Sequence, residues 1–271
     1  MKRVAAINDL SGFGKCSLIA DISVLSSMGI EVCPVPTAVL TAQTGFPSYY
    51  QQDLKDMVEH CRIEWSRMGT KFDGIITGYI PHENQIDQII DFANAFNQKN
   101  TVLLVDPVMG DGGQCYANYT DSMRLGIQKL VRKADVITPN LTELCILAGE
   151  DPNELPNNVD RILEIAKKAK ASEKQKIVVT GVILEKGELC NMAIHPGGAE
   201  VIHSKYNGLS YSGTGDLFAA ALMGNLLNGE TLVDAVSKTA DFISESIVNT
   251  EDKDRNYGVD YELQLKKGWE R

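Results

Sequence analysis

Along this chain, short apolar runs alternate with stretches whose apolar residues recur at helical spacing. Val4-Ala5-Ala6-Ile7 predicts a short buried strand, with a loop over 8–14. Residues 17–28 predict a helix carrying Leu18, Ile22, Leu25 and Met28 on one side and ended by Gly29. Residues 32–40 read as extended, and Pro34 and Pro36 argue for an edge or irregular strand. A polar and aromatic loop over 41–50 leads to a helix over 53–68. Buried strands over 74–78 and 101–106 bracket a helix over 83–96. A loop over 107–119, a helix over 122–133, a strand over 136–138 and a short helix over 141–148 follow. Next come a helix over 159–170 and a strand over 177–180. Residues 190–195 and 200–205 predict a hairpin turning at Pro196-Gly197-Gly198. Helices over 216–227, 232–248 and 261–267 complete the pattern.

The strands are apolar throughout, not half polar, which predicts a parallel sheet covered on both faces. Right-handed crossovers make it doubly wound. The fold class is therefore α/β, with a mostly parallel central sheet flanked by helices on both faces. The pattern continues over 1–271 as one domain; the stretch 151–158, with Pro152 and Pro156, reads as a surface loop. In such sheets ligands bind beyond the carboxyl ends of the strands. Asn8-Asp9, Thr77-Gly78-Tyr79, Asp106, Thr138-Pro139-Asn140 and Thr180-Gly181 all follow strands directly, so they are expected to gather on one rim.

Ser212-Gly213-Thr214-Gly215-Asp216 belongs to the same rim. It is a glycine-rich turn running into a helix, whose unpaired N–H groups and partial positive charge suit an anion. Asp216 is either a first-turn stabiliser or a reactive base. Asp106-Pro107-Val108-Met109-Gly110-Asp111-Gly112-Gly113 places two carboxylates on a flexible loop, which suits Mg²⁺ held together with substrate phosphates. The structural alternative is a turn in which Asp106 caps a helix. Asn140 and Glu143 have the spacing of a capping box, and their rim position also makes Glu143 a second carboxylate near a metal. Gly12-Phe13-Gly14-Lys15-Cys16-Ser17 approaches both a dinucleotide fingerprint and a P-loop. It lacks the acidic partner of the first and the Ser/Thr of the second, and a substrate-lining loop is the better reading. Phe46, Tyr49 and Tyr50, near Thr44, could cover a flat ring.

Composition narrows the function classes. The 271 residues carry a net charge of -10, which argues against a broad nucleic-acid surface. The six cysteines are scattered with no Cys-x-x-Cys pair, which favours reduced thiols in the cytoplasm over a zinc site or disulfide framework. Met1-Lys2-Arg3 precedes only four apolar residues, too few for the core of a signal peptide, and no apolar run could cross a membrane. The four histidines have no metal-like spacing.

In their order and spacing, Asp106-Pro-Val-Met-Gly-Asp111, Thr138-Pro-Asn140-x-x-Glu143, Val178-Val-Thr180 and Gly213-Thr-Gly-Asp216-Leu-Phe-Ala-Ala resemble the pyridoxal (pyridoxamine) kinase branch of the ribokinase-like superfamily. The resemblance spans nearly the whole chain. It implies ATP-dependent phosphorylation of the 5′-hydroxyl of a vitamin B6 vitamer by a cytoplasmic homodimer, with a small-molecule substrate and no nucleic-acid or membrane partner. Asp216 would be the base, and Gly213, Thr214 and Gly215 the anion hole. Asp111 and Glu143 would serve Mg²⁺ and its waters, and Asp106 and Thr138 would lie near a monovalent cation such as K⁺. Asn140 and Thr180 would contact ATP, while Thr44 and Tyr79 hold the pyridine ring. Asp9 stands where relatives have a serine contacting that ring, so the preferred vitamer is open. The 112–119 segment is expected to be a flap over the phosphates. A hydroxymethylpyrimidine kinase is the rival of the same fold; such relatives often carry a cysteine where Asp216 stands. A non-catalytic nucleotide sensor is the alternative from another class.

Overall fold

The computed structural model describes residues 1–271 other than 118, 185–186, 205–207, 252–253 and 268–271. In chain order the first elements are β1 (Arg3–Ser11), α1 (Ser17–Ser27), β2 (Glu31–Leu40), β3 (Gln51–Asp53), α2 (Met57–Arg67), β4 (Gly74–Thr77), α3 (Glu83–Phe96) and β5 (Val102–Val105). Then come β6 (Gly110–Asp111), β7 (Gln114–Cys115), α4 (Asp121–Val131), β8 (Val136–Ile137), α5 (Leu141–Ala148), α6 (Val159–Ala169) and β9 (Lys176–Ile183). The chain closes with β10 (Leu189–His195), β11 (Gly198–His203), α7 (Thr214–Leu227), α8 (Leu232–Val248) and α9 (Glu262–Lys267).

Nine strands form one sheet in the order β11-β10-β9-β8-β5-β4-β1-β2-β3. The six from β9 to β2 run parallel, while β3 at one edge and β10-β11 at the other are antiparallel. Side chains alternate between two cores, as the pleat requires. Ala5, Ile7, Ile75, Leu103, Val105, Ile137, Ile177 and Val179 enter one core, packed with α2 to α6. Val4, Ala6, Ile76, Leu104, Val136 and Val178 enter the other, with α1, α7 and α8. Both faces are dry, so consecutive strand residues are all apolar.

Three expectations change. The expected loop over 8–14 begins later, because β1 runs to Ser11 and pairs with β2 across a register shift between Asn8 and Leu10. The expected helix over 53–68 begins only at Met57, and Gln51–Asp53 instead adds a strand alongside Ala38–Leu40. That strand covers only the end of β2, so Pro34 and Pro36 lie where the outer side of β2 has no neighbour, and their missing N–H groups cost nothing there. The expected strand over 177–180 continues to Ile183. It slips register around Thr180-Gly181, where Gly181 has φ 64° and its N–H donates to Asn191 Oδ1. The last residue expected in the hairpin, 205, lies outside the described residues, as does one residue of the 112–119 segment.

Leu104 is fully buried in the middle of the sheet. Leu104→Ala is expected to cost about 2–5 kcal/mol in urea unfolding; a cost under about 1 kcal/mol would contradict the two-core description.

Candidate active site

The strand order sets the carboxyl ends of β9, β8, β5, β4 and β1 side by side. Backbone bonds tie the ends together: Thr180 N to Pro139 O (2.9 Å), Thr138 N to Val105 O (3.2 Å), Asp106 N to Thr77 O (3.1 Å) and Gly78 N to Ile7 O (2.9 Å). The expected rim therefore exists. Chain order reverses at β1, which has β2 on one side and β4 on the other. That is the switch point at which open α/β sheets bind ligands.

Helix α7 starts at Thr214, two residues before the expected start, with Gly213 as its cap at φ 82°. A Cβ on Gly213 would lie 2.8 Å from Lys15 O and Cys16 Cβ, so both conformation and space demand glycine. Gly215 is different. The nearest atom to a Cβ there would be Asp106 Oδ2 at 3.9 Å. The first turn of α7 is thus open, and it lies beside Asp106.

Asp216 is half-buried in that turn. Its Oδ1 accepts from Asn8 Nδ2 at 3.1 Å, and the Ser17 N–H donates to the same carboxylate. Ser17 and Lys15 are the only non-glycine residues with positive φ among those described, at 54° and 51°. Strain of this kind costs about 1–3 kcal/mol and gathers at functional sites. Here it turns the start of α1 toward Asp216, so two helix N-termini meet one carboxylate. Burial raises the Asp216 pKa despite these donors, which makes it a stronger base.

Three further carboxyls share this end. Asp9 is 4% exposed and accepts from Ser11 Oγ at 2.7 Å; burial pushes its pKa up to about 6. Asp21, on α1, is fully enclosed; burial and Asp216 push it well up. Asp106 accepts from Thr138 Oγ1 at 3.0 Å, and burial with Asp216 nearby raises it to about 7. Beside them, Thr77 ends β4 with a buried hydroxyl lacking a partner among the described residues.

On the far side of the rim, β6 and β7 form a short ribbon. Asp111, on β6, is exposed and accepts from Gly112 N. Asn140 and Glu143 make the expected capping box on α5. Glu143 Oε1 also accepts from Met109 N (3.1 Å), and Asn140 Nδ2 donates to Gly110 O (2.8 Å). Both side chains therefore hold the ribbon to α5. Among the described residues, no three His, Cys, Asp or Glu side chains converge to hold a metal ion. Asp111 and Glu143 offer carboxylate oxygens of the kind an ion shared with phosphates takes. The Asp106–Thr138 oxygen pair offers hard ligands for a monovalent cation.

Of the residues expected to hold a ring, Tyr79 is half-buried with its ring centroid 6.4 Å from that of Tyr119, and Thr44 is exposed. The loop bearing Thr44 is held from a distance. Gln43 Oε1 accepts from Gly45 N, and Gln43 Nε2 donates to Asn256 O at 3.2 Å. Phe46 meets Tyr257 edge-on, with centroids 5.1 Å apart, so the expected aromatic patch packs inward at Phe46 and stays exposed at Tyr49 and Tyr50. Ser212 N donates to Arg255 O, and Lys15 Nζ pairs with Asp260 (2.6 Å) and Glu262 (2.8 Å). The 254–262 segment thus joins the 12–15, 43–46 and 212–214 turns. Sequence reasoning missed it, along with Asn8 as a side-chain partner and Asp21.

A family model for phosphomethylpyrimidine kinase matches residues 14–259. The chain belongs to the phosphomethylpyrimidine kinase family. The rhombohedral crystal structure of a candidate member from Bacteroides thetaiotaomicron VPI-5482 shares 35% identity at TM-score 0.92, over 98% of this chain and 93% of that one. Its orthorhombic form, with pyridoxal, shares 33% identity at TM-score 0.90 over 98% and 95%. The pyridoxal kinase PdxY of Actinobacillus pleuropneumoniae serotype 5b (strain L20) is 31% identical over 206 residues, 72% of this chain and 68% of that protein. Such curated relatives are matched over about two thirds of their length. Staphylococcus aureus pyridoxal kinase, solved with AMP-PCP, has TM-score 0.79 and 23% identity over 94% and 91%, a likeness of fold. The family's ribokinase-like α/β fold is the one described above.

Two outcomes test this geometry. Gly213→Ala is expected to lower stability by about 1–2 kcal/mol, from the left-handed backbone alone, while Gly215→Ala leaves the melting temperature unchanged or higher; equal effects would contradict the assigned roles. Asp106 has a folded pKa above its unfolded one, so the ligand-free protein loses stability as pH rises from about 4 to about 7. Asp106→Asn is expected to flatten that slope and raise the melting temperature at pH 8. An unchanged slope would show that Asp106 does not titrate there.

Proposed function

We propose that the protein transfers the γ-phosphoryl group of ATP to the 5′-hydroxyl of a vitamin B6 vitamer: pyridoxal, pyridoxamine or pyridoxine. The observation that carries this reading is Asp216, a carboxylate oriented by the Asn8 amide and the Ser17 N–H beside an open helix N-terminus. The pyridoxal in the orthorhombic Bacteroides crystals supports the ring class.

Phosphoryl transfer is mostly positioning and neutralisation of charge. Asp216 accepts the proton as the hydroxyl attacks. The N–H groups of Gly213, Thr214 and Gly215 take up charge on the transferring oxygens. Asp9, Thr44 and Tyr79 hold the ring, and the Asp9 carboxyl meets a ring N–H or hydroxyl. Asn140 and Thr180 line the ATP side. Asp111 and Glu143 would hold Mg²⁺ and its waters, and Asp106 and Thr138 a monovalent cation such as K⁺; bound there, these ions neutralise phosphate oxygens. The ribbon of β6 and β7 covers the phosphates. Residues 1–271 act as one domain in a cytoplasmic homodimer. The six free cysteines fit a reducing compartment, and the net charge of -10 fits a small-molecule substrate better than nucleic acid. Among the described residues no helix is long and apolar enough to cross a membrane.

A second reading, phosphorylation of a hydroxymethylpyrimidine, is favoured by the description of the matching family. Turnover of the three vitamers and of hydroxymethylpyrimidine, measured side by side, separates the two. Asp216→Asn is expected to lower kcat about 10²- to 10⁴-fold with ATP binding retained in calorimetry. A near-parental kcat would refute the base assignment.

A further inference from the structure

The side chain at the centre of the rim is Asn8, which is 3% exposed and makes four hydrogen bonds. Its Oδ1 accepts from the backbone N–H groups of Asp9 (3.0 Å) and Tyr79 (2.8 Å). Its Nδ2 donates to Asp216 Oδ1 (3.1 Å) and Asp21 Oδ2 (3.2 Å). An amide has one acceptor oxygen and one doubly donating nitrogen. Two backbone donors can be met only by the oxygen, so the nitrogen has to face the two carboxyls, and the orientation of the amide is settled by the backbone. The fold also reserves the space. A Cβ on Gly78 would collide with all three terminal atoms of the Asn8 amide, so the glycine after Thr77 is the condition for the amide to lie there.

These four bonds lead to different parts of the site. Asp9 and Tyr79 belong to the side that holds the ring, on β1 and beyond β4. Asp216 belongs to the phosphate side, on α7. Asp21 reaches in from α1 and is 2% exposed. Asp21 has no place in the phosphoryl-transfer steps, yet it is a carboxyl kept in the interior, and its bond to Asn8 lies opposite the ring-side donors.

We infer that Asn8 is a positioning residue for phosphoryl transfer: one buried amide fixes the base Asp216 relative to the ring-holding Asp9 and Tyr79, with Asp21 anchoring that amide from behind. The inference rests on the reading of Asp216 as base. Its physical content is orientation. The Asn8 donor holds one oxygen of Asp216 and so sets which way the rest of the carboxylate faces. Displacing a reacting group by about 1 Å can cost about 10²-fold in rate. Binding of ATP, made along β8, β9 and the ribbon, does not pass through this amide.

The test must separate positioning from simple support of the β1–β4–α1 junction. Asn8→Asp is nearly isosteric and keeps an acceptor for both backbone N–H groups, but it has no donor for Asp216 or Asp21. Asn8→Asp combined with Asp21→Asn restores a donor–acceptor pair between positions 8 and 21, while Asp216 still lacks its side-chain donor. The expected result is a loss of kcat of about 10- to 100-fold in both variants, with ATP affinity unchanged in calorimetry. The melting temperature is expected to fall in the single variant and to recover in the double. Recovery of kcat together with stability in the double variant would overturn the inference, as would a single variant with kcat within about 3-fold of the parent. If Asn8→Asp does not fold, Asn8→Ser, smaller and neutral, is expected to show the same loss of kcat with ATP binding intact, and parental turnover there would equally refute the proposal. Asp216→Asn is measured alongside. If that variant keeps its turnover, the base reading fails; if it is inactive while the Asn8 variants turn over normally, only the role of Asn8 fails.

Discussion

Four carboxyls, two buried (Asp9 and Asp21) and two half-buried (Asp106 and Asp216), gather at one end of a sheet whose two faces are otherwise dry, and the site depends on how their charge is managed. Burial raises the pKa of every one of them. The raised pKa values measure a cost: taking a carboxylate from water is unfavourable unless donors replace it. The chain supplies donors of three kinds. Hydroxyls of Ser11 and Thr138 serve Asp9 and Asp106. The backbone N–H of Ser17 at the start of α1 serves Asp216, with two non-glycine residues held at positive φ. The Asn8 amide serves Asp21 and Asp216 together. What remains uncompensated is the charge that the proposed cations and the proposed base role of Asp216 would draw on.

Seen this way, the glycines of the rim have separate jobs. Gly213 permits a left-handed cap and the approach of the 15–16 backbone, Gly215 keeps the helix turn open, and Gly78 makes room for an amide. The 254–262 segment has a comparable role at longer range. Through Asn256, Arg255, Tyr257 and Asp260 it holds the 43–46 loop, Lys15 and the 212–214 turn in one frame. Loops far apart in sequence are thereby fixed relative to Asp216, the kind of positioning that the proposed phosphoryl transfer needs.

Much of this was legible in the sequence. Continuous apolar runs such as Val102 to Val105 announce buried parallel strands, and the rule that ligands lie beyond their carboxyl ends places Asp106, Thr138 and Thr180 before any coordinates are known. The Asn140–Glu143 capping box was legible too, from spacing alone. What failed had local causes. Asn8-Asp9 reads as the start of a loop because both residue types favour turns, yet β1 continues to Ser11, with Asn8, Asp9 and Ser11 buried and hydrogen-bonded within the protein. Gln51–Asp53 has no apolar alternation, and only pairing with Ala38–Leu40 makes it a strand. Bonds such as Gln43 to Asn256 or Asn8 to Asp216 join positions more than two hundred residues apart, and no spacing rule reaches that far.

The proposed role of Asp216 is tested by a crystal structure of the protein with AMP-PCP and pyridoxal bound together. The 5′-oxygen of pyridoxal is expected about 3 Å from the Asp216 carboxylate, with the γ-phosphate on the N–H groups of Gly213 to Gly215 and the ring between Asp9 and Tyr79. A ring bound with its hydroxymethyl group turned away from Asp216, or a γ-phosphate seated elsewhere than the start of α7, would contradict it.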